Sequence, residues 1–269
     1  MSKQWYKLVF KQIQPIHIGM GNYGVVNETR IFIPGWTMWG ALTKAYNLQN
    51  NKPLSENQDL FENISCFYPC FNEDGENVLF PEFKNGEFYL GDYSEDEFRA
   101  KFVDTFISTA INPNTNTALD ESLHELNIIL PSAKADYLEK EEEKQLYWVG
   151  IIGLENDNID IPNEIYIGGD TRYGLGKLIL IKKDYLSDNE LNVWKQKSGY
   201  IPATEENLTN SQNKAKKLEL LVELTNSWEK SELNVRLQGK NGFYFVPGSE
   251  ASNIKNDLSK LIKGVFEEI

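Results

Sequence analysis

The chain has 269 residues, of which 41% are hydrophobic and 12% aromatic. This is enough for one large domain or two small domains with a substantial apolar core. No apolar run approaches the roughly 20 residues that a membrane-spanning helix needs, and the N-terminal stretch "MSKQWYKLVF" lacks the features of a signal peptide. These features predict a soluble intracellular protein that has no membrane partner.

The charge is distributed unevenly along the chain. A net charge of −13 argues at first against binding to nucleic acid. However, residues 1–46 have a net charge of +4, residues 47–165 of −18 and residues 166–269 of +1. Because a phosphate responds to charges within about a Debye length, roughly 8–10 Å, we expect that the two ends of the chain can bind an anion while the acidic middle lies away from it.

The sequence offers few ligands for a metal ion. Its two cysteines, Cys66 and Cys70, lie in "SCFYPCF", and its two histidines are His17 and His124. Two cysteines are too few for a zinc site unless other ligands converge on them, and two histidines are too few for a histidine cluster. We therefore predict two half-buried thiols, no metal site and no cofactor.

A glycine motif follows the first predicted strand. Residues 3–18 are apolar and rich in β-forming residues, which predicts one long strand or two short strands. Gly19, Gly21 and Gly24 then fit the spacing G-x-G-x-x-G, which in dinucleotide-binding proteins needs a helix that opens inside the motif. Here the next residues are "VVNETRIFIP", which favour an extended chain. We therefore expect a flexible loop and no nucleotide cofactor.

A helix is predicted over residues 37–47, after the Pro-Gly break in "IPGWTMWGALTKAYN". Thr37 can cap its N-terminus, and Trp39, Leu42 and Tyr46 recur at helical spacing.

The middle of the chain predicts short elements. Residues 59–64 ("DLFENI") suggest a short helix, and residues 64–93 combine aromatic residues with turn signals, as short strands or an insertion do. Residues 102–131 alternate polar and apolar residues around "NPNTNTALDES", which predicts a β-hairpin with a long loop. Residues 146–154 ("LYWVGIIGL") predict a buried strand.

The last third begins with a second glycine-rich segment. Two apolar runs, residues 165–167 and 178–181, flank the loop of residues 168–176 and predict adjacent antiparallel strands. We call residues 168–176 the glycine loop.

The remainder of the chain is less regular. Residues 184–216 are polar and predict a connector, whereas residues 218–224 and 242–248 predict strands. The terminal stretch "SNIKNDLSKLIKGVFEEI" predicts an amphipathic helix. The apolar residues on its expected face are Ile254, Leu258, Leu261, Ile262 and Val265.

Four segments together carry a family resemblance: "IHIGMGNYG", "IPGWTMWGAL", "FISTAINPNTNTALDESLHEL" and "IGGDTRYGLGKLIL". In this order they resemble the RAMP superfamily, the RNA-binding subunits of CRISPR effector complexes, especially of type III systems. The resemblance covers about residues 4–182. It implies an α+β fold with an RRM-like (ferredoxin-like) antiparallel sheet, helices and large insertions.

The resemblance also implies a domain division and an RNA-binding site. The core would span residues 1–183, with acidic insertions at about 49–100 and 131–146, and residues 184–269 would form an extension that ends in the amphipathic helix. In the family, the glycine loop and the start of the first helix meet the guide-RNA backbone. Glycines allow close approach of backbone N–H groups to phosphates, and a helix N-terminus adds positive potential. The expected RNA-binding residues are Gly19, Gly21, Arg30, Trp36, Thr37, Lys44, Gly168, Gly169, Arg172, Tyr173, Gly174, Gly176 and Lys177.

Two departures from the family pattern affect the expected function. Trp39 stands where a basic residue is usual, and Trp36 replaces a small residue, so each tryptophan can stack on a base or fill a core or subunit interface. The loop "GMGNYGVVNETR" contains no aspartate, whereas the subunits that cleave target RNA carry one there. This argues against cleavage of target RNA.

The leading hypothesis is a non-catalytic guide-RNA (crRNA) binding subunit of a type III CRISPR effector complex, which acts in antiviral defence in the cytoplasm of a prokaryote. An end-capping position is favoured over a backbone position, and the partners would be CRISPR RNA and other effector subunits. One alternative is a metal-independent endoribonuclease of the same superfamily, with His17 as its general acid or base. The other is a protein-interaction subunit that has lost RNA binding, as the net charge of −13 suggests.

Overall fold

The computed structural model describes residues 3–135, 144–156, 158–203, 217–227, 232–239, 242–249 and 258–267. The strands in chain order are β1 (Gln4–Gln12), β2 (Gly19–Tyr23), β3 (Val26–Thr29), β4 (Tyr68–Cys70), β5 (Pro81–Lys84), β6 (Glu87–Leu90), β7 (Tyr93–Ser94), β8 (Val103–Ser108), β9 (Ile111–Asn112), β10 (Thr117–Ala118), β11 (His124–Ile129), β12 (Tyr147–Leu154), β13 (Glu164–Tyr166), β14 (Lys177–Tyr185), β15 (Ile201–Pro202), β16 (Leu218–Leu220), β17 (Val222–Ser227), β18 (Glu232–Leu237), β19 (Phe243–Phe245), β20 (Leu261–Ile262) and β21 (Val265–Phe266). The α-helices are α1 (Gly35–Gln49), α2 (Glu95–Phe102) and α3 (Asp188–Lys197).

The core is a five-stranded antiparallel sheet in the order β13-β14-β1-β12-β4. Successive side chains of a strand point to opposite faces. Leu8 and Phe10 of β1 accordingly pack with Met38 and Leu42 of α1, whereas Val9 packs in a second cluster. The expected α+β fold, an antiparallel sheet with helices and large insertions, is confirmed.

The second cluster lies on the other side of the sheet and is formed largely by the C-terminal third. Val9 packs there with Trp194 of α3, with Tyr200 and with Phe245 of β19. Because β12 therefore has apolar neighbours on both faces, all eight of its residues are buried, as the continuous apolar run predicted. The boundary at residue 183 stays a prediction, but residues beyond it pack directly on the core sheet.

A second sheet in the order β2-β3-β11-β8 holds the predicted hairpin. β8 and β11 pair antiparallel from Val103↔Ile129 to His124↔Ser108, and the long connection between them carries the small β9–β10 pair. β3 pairs in parallel with β11. The expected flexible loop at this motif is wrong, because Gly19 and Gly21 lie within β2, which pairs with β3, and only Gly24 makes a turn, at a φ of +62°. No helix opens in this motif, so the argument against a dinucleotide fingerprint is confirmed.

The start and length of the first helix differ from the prediction. α1 begins at Gly35 and ends at Gln49, and its N-cap is Pro34, which has no side-chain acceptor. Thr37 lies inside the first turn, where its N–H donates to the carbonyl oxygen of Pro34 at 3.0 Å. Pro34 itself takes the N-cap position with a φ of −60°, and the fixed φ of proline is tolerated at the start of a helix, so α1 begins two residues before Thr37.

One further prediction is wrong, and two helices, α2 and α3, were missed. Residues 59–61 form turns rather than a helix, and Ile64 forms a β-bridge to Ile152. The expected connector contains α3, whose N-terminus has a capping box: Ser187 and Glu190 each bond the backbone N–H of the other. That serine and glutamate, three positions apart, were a signal that the polar composition obscured.

The prediction of a terminal amphipathic helix is also wrong for those of its residues that the structure describes. Residues 258–260 form one 3₁₀ turn, and residues 261–266 form the β20–β21 hairpin. Its two turn residues, Lys263 and Gly264, have φ values of +51° and +78°, which an α-helix does not allow. Residues 251–257, including Ile254, lie outside the described residues.

The remaining strand predictions hold. The runs at 165–167 and 178–181 form β13 and β14, which pair antiparallel, and strands are present within 218–224 and 242–248. Residues 64–93 contain four short strands. One of them, β4, lies in the region expected as an acidic insertion but pairs with β12 at the edge of the core sheet.

Candidate nucleic-acid interface

The glycine loop packs closely on the segment that follows β1. Gly169 N–H donates to the carbonyl oxygen of His17 at 3.0 Å, and Gly176 N–H donates to that of Pro15 at 2.9 Å. A Cβ on Gly168 would lie 2.0 Å from the same His17 oxygen. Because no side chain fits there, this glycine allows two backbones to touch. The base of the loop is therefore held by the chain itself.

The outer half of the loop is exposed. Residues 171–173 form a 3₁₀ turn between Asp170 and Gly174, which have φ values of +55° and +82°. The turn leaves Arg172 exposed and 65% of Tyr173 accessible. Among the described residues, Arg172 has no ion-pair or hydrogen-bond partner for its side chain. The loop thus presents one cation and one aromatic ring to solvent.

A cleft of about 150 Å³ lies between this loop and the second sheet. It is lined by His17, Asn27, Phe106, His124, Leu126, Asp170 and Tyr173. These residues come from four separate parts of the chain, so the cleft exists only in the folded protein.

The register of the second sheet explains why its residues share one face. Leu126 of β11 lies opposite Phe106 of β8 on one side and opposite Asn27 of β3 on the other. Residues directly opposite each other project from the same face, and His124 joins them because it is two positions from Leu126. The sheet therefore contributes a row of apolar and polar side chains to the cleft.

Hydrogen bonds orient the two histidines. His17 Nδ1 lies 2.7 Å from the carbonyl oxygen of Asn127, and because a carbonyl only accepts, Nδ1 carries the proton. In the neutral ring, Nε2 is then left as an acceptor. His124 Nε2 lies 2.6 Å from Ser108 Oγ. His124 Nδ1 lies 3.3 Å from the carbonyl oxygen of Ser122, so both of its ring nitrogens have protein partners, and His17 is buried. Both imidazoles thus line one cleft with fixed orientations.

The start of α1 has a different environment, because the C-terminal third covers it. The guanidinium of Arg30 is paired with the Glu219 carboxylate, and its Nη1 donates to Tyr200 Oη at 3.1 Å. Burial opposes the charge of Arg30, but the hydrogen bond and proximity to Glu219 outweigh it and raise the pKa of the guanidinium. An arginine expected to meet RNA phosphates is therefore neutralised within the chain.

The tryptophan and glycine next to this arginine are also engaged. The Trp36 ring lies 5.1 Å from that of Tyr200, centre to centre. A Cβ on Gly35 would lie 2.4 Å from the backbone nitrogen of Gly264, so the β20–β21 turn sits directly on the first residue of the helix. Thr37, half-buried in the same turn of helix, follows them. In this structure Trp36 contributes to internal packing, one of the two roles its sequence position left open.

A lysine from the C-terminal hairpin lies beside Trp39 of α1. Lys263 Nζ is 3.8 Å from the centre of the Trp39 ring, a cation–π contact. Trp39 Nε1 donates to the carbonyl oxygen of Gln58 at 2.6 Å, which fixes the ring. The C-terminal hairpin therefore places a positive charge on the Trp39 ring.

The two remaining predicted cations differ from each other. Lys177 forms an ion pair of 2.8 Å with Glu164 across β13 and β14, and this hydrogen bond raises the pKa of the lysine and lowers that of the glutamate. Lys44 is exposed on α1 and has no ion pair with any residue in the described ranges.

Of the predicted site residues, the structure brings His17, Tyr173 and the exposed Arg172 to the cleft region and places Arg30 and Trp36 against the C-terminal third. Five cleft residues were not predicted: Asn27, Phe106, His124, Leu126 and Asp170. The available signal was that Phe106 and Leu126 are apolar residues in the two runs of the predicted hairpin, but the register that sets them opposite each other is seen only in the structure.

The cysteines are more deeply buried than expected. Both are fully buried and unpaired, and burial raises the pKa of the Cys66 thiol to about 12 and also raises that of Cys70. Within the described ranges, no three His, Cys, Asp or Glu side chains are placed to hold a metal ion. Nor does any helix in those ranges have the length and apolar character needed to span a membrane.

Comparison with solved structures places the fold among known ones. The chain is similar to a chain in "Cryo-EM structure of the Type III-B Cmr-beta bound to cognate target RNA", with a TM-score of 0.55 and 14% identity over 90% of this chain and 85% of that chain. A chain in the same complex bound to cognate target RNA and AMPPnP, state 1, gives a TM-score of 0.54 and 13% identity over 90% and 84%. No family model and no curated protein sequence matches. At this identity the similarity establishes a shared fold.

Proposed function

We propose that the chain is a non-catalytic guide-RNA-binding subunit of a type III CRISPR effector complex. The observation that carries this proposal is the arrangement at the cleft: the glycine loop places an unpaired arginine and an exposed tyrosine beside a sheet face lined with aromatic and polar side chains. Cationic and aromatic groups in a groove are the usual means of holding single-stranded RNA. The shared fold with chains of an RNA-bound type III-B complex supports the same role.

The proposed roles of the different surfaces follow the distribution of charge. Arg172 would contact a phosphate, with Lys44 and the Lys263–Trp39 pair as further positive surface at α1. Phosphate contacts position an RNA and carry no sequence information. The acidic middle of the chain would face solvent or a basic partner subunit. An end-capping position in the complex is proposed over a backbone position.

The test is a salt titration of binding of the full chain to single-stranded RNA. For Arg172→Ala, the slope of log affinity against log salt should flatten by about 0.7, the contribution of one phosphate contact. Lys195→Ala is the control, because Lys195 is an exposed cation on α3 that is not among the residues that line the cleft. An unchanged slope in Arg172→Ala would remove the glycine loop from the RNA site. No binding by the wild type would favour a protein-interaction subunit.

One observation favours a second candidate function, RNA cleavage. His17 and His124 line the same cleft, and His17 Nδ1 is held by the carbonyl oxygen of Asn127. Such a pair can take the proton of a ribose 2′-hydroxyl and protonate the leaving 5′-oxygen. A cleavage assay without metal decides between the two functions: RNA cleavage that is lost in both His17→Ala and His124→Ala would replace the non-catalytic proposal.

A further inference from the structure

We propose that the cleft between the glycine loop and the β8–β11 hairpin is a binding pocket for one unstacked RNA base. This inference rests on the proposed function and adds a specific subsite to it. Three properties of the cleft carry it: its size, its aromatic walls and the chemistry of its polar side chains.

The size suits a single planar ring system. The cleft encloses about 150 Å³, whereas pockets for drug-sized ligands range over about 300–1,000 Å³. A folded protein segment or a base pair would not enter it. One base, turned away from its neighbours in the strand, is the part of an RNA chain that matches this volume.

Two aromatic rings come from opposite sides of the cleft. Phe106 lies on the sheet face and is 42% exposed, although it is a large apolar side chain, and Tyr173 projects from the 3₁₀ turn of the glycine loop. Leu126, opposite Phe106 in the sheet, adds an apolar contact. An aromatic ring can stack on the π-face of any base. A base that stacks on or between these two rings would account for their exposure at one small cleft.

The polar lining favours a base over a phosphate. Among the described residues, neither lysine nor arginine lines the cleft, and Asp170 contributes a carboxylate, which would repel an anion. The other polar groups are the Asn27 amide and the two imidazoles. Both ring nitrogens of His124 already have partners, so the Asn27 amide and His17 Nε2 are the groups that can meet the donors and acceptors at the edge of a base. The Asn27 side chain makes only a long contact of 3.4 Å to the Glu125 carbonyl oxygen, so it can turn to a ligand.

The phosphate contact is located next to the pocket rather than in it. Arg172 precedes Tyr173 directly and is exposed. A strand that places one phosphate on Arg172 can therefore place the adjoining base against Tyr173. This arrangement separates a charge-dependent contact from a base-dependent contact, and an experiment can measure the two independently.

The experiment measures binding of the full chain to two single-stranded RNA oligonucleotides of equal length and charge, one with bases and one in which abasic ribose replaces every internal nucleotide. Fluorescence anisotropy at fixed salt gives both affinities. The wild type should bind the base-bearing oligonucleotide more tightly. Phe106→Ala and Tyr173→Ala should each weaken that binding roughly 5- to 150-fold, the range expected for loss of one stacked base, and leave abasic binding unchanged.

Two control variants test the physical cause. Tyr173→Phe keeps the ring and should bind the base-bearing oligonucleotide as the wild type does. Tyr23→Ala removes a tyrosine of equal exposure, 67% against 65%, that does not line the cleft, and should change neither affinity. Because Phe106 and Tyr173 are both exposed, we expect all these variants to fold, and circular dichroism checks it.

The outcomes separate this inference from the proposed function. If the wild type binds both oligonucleotides with a salt slope that depends on Arg172, but the two alanine variants at the cleft bind as the wild type does, the base pocket is wrong and RNA binding stands. Equal wild-type affinity for the base-bearing and abasic oligonucleotides also overturns the pocket. If the wild type binds neither oligonucleotide, the proposed function fails and the pocket with it.

Discussion

The glycine loop and the start of α1 were both expected to contact the guide-RNA backbone, yet their surroundings differ. Arg172 and Arg30 are both arginines beside glycine-containing turns, and both were predicted to bind phosphate. Arg172 is exposed and has no ion-pair partner among the described residues, whereas only 11% of the Arg30 side chain is accessible and it is paired with Glu219. The comparison shows that a cation identified from sequence is a binding residue only if the rest of the chain leaves it available.

The largest effect on stability is expected at Arg30, which the C-terminal third covers. Arg30→Ala should lower the free energy of unfolding by about 3 kcal/mol, because it leaves the Glu219 carboxylate largely buried without its partner. Arg172→Ala should change it by less than about 0.5 kcal/mol, as exposed substitutions do. Urea denaturation measures both. Equal stabilities for the two variants would show that Arg30 is not structural.

Two glycines of the glycine loop, one packed and one exposed, allow the same comparison of stability. Gly168→Ala should destabilise the protein more than Gly174→Ala. Both residues have positive φ, which costs an alanine about 1–2 kcal/mol, but only at Gly168 would the new methyl group also meet the His17 backbone. Thermal unfolding gives the order, and a greater loss for Gly174→Ala would contradict the packing role of Gly168.

The buried Cys66 thiol predicts that the free energy of unfolding depends on pH in the alkaline range. The folded protein keeps the Cys66 proton up to a pKa of about 12, whereas the unfolded chain loses it above roughly 8.5. The unfolded state therefore binds fewer protons in this window, so the stability contribution is complete below pH 8.5 and is lost as the pH rises, by at most about 1.4 kcal/mol per unit. Urea denaturation at pH 8, 9 and 10 measures the slope, and Cys66→Ala should make it shallower.

The smallest effects are the changes in the salt dependence of RNA binding when a single lysine or arginine is removed. Because Lys177 is already paired with Glu164 across β13 and β14, Lys177→Ala should flatten the salt slope by less than the roughly 0.7 expected for Arg172→Ala. The double variant should weaken binding to all sequences alike. A larger change in slope for Lys177→Ala than for Arg172→Ala would reverse the assignment of the phosphate contact.

The sequence by itself determined the strands and turns around the site, because these depend on local patterns. Alternation in residues 103–129 predicted the hairpin, a continuous apolar run predicted β12, and the glycines between two apolar runs predicted the loop between β13 and β14. The α+β class followed from the same elements together with the family resemblance. The sequence also excluded a dinucleotide fingerprint, since an extended segment follows Gly24.

Only the tertiary structure decided which side chains meet. The terminal residues were expected to form a helix because Leu258, Leu261 and Val265 fit a helical face, but they become buried through a hairpin that packs on α1. No local pattern links Glu219 to Arg30, or Asn27 to Phe106, since these pairs are distant in sequence and their proximity depends on sheet register and on the packing of the C-terminal third. Long-range packing thus paired Arg30 with Glu219 and created the cleft, because burial and charge pairing are properties of the folded chain.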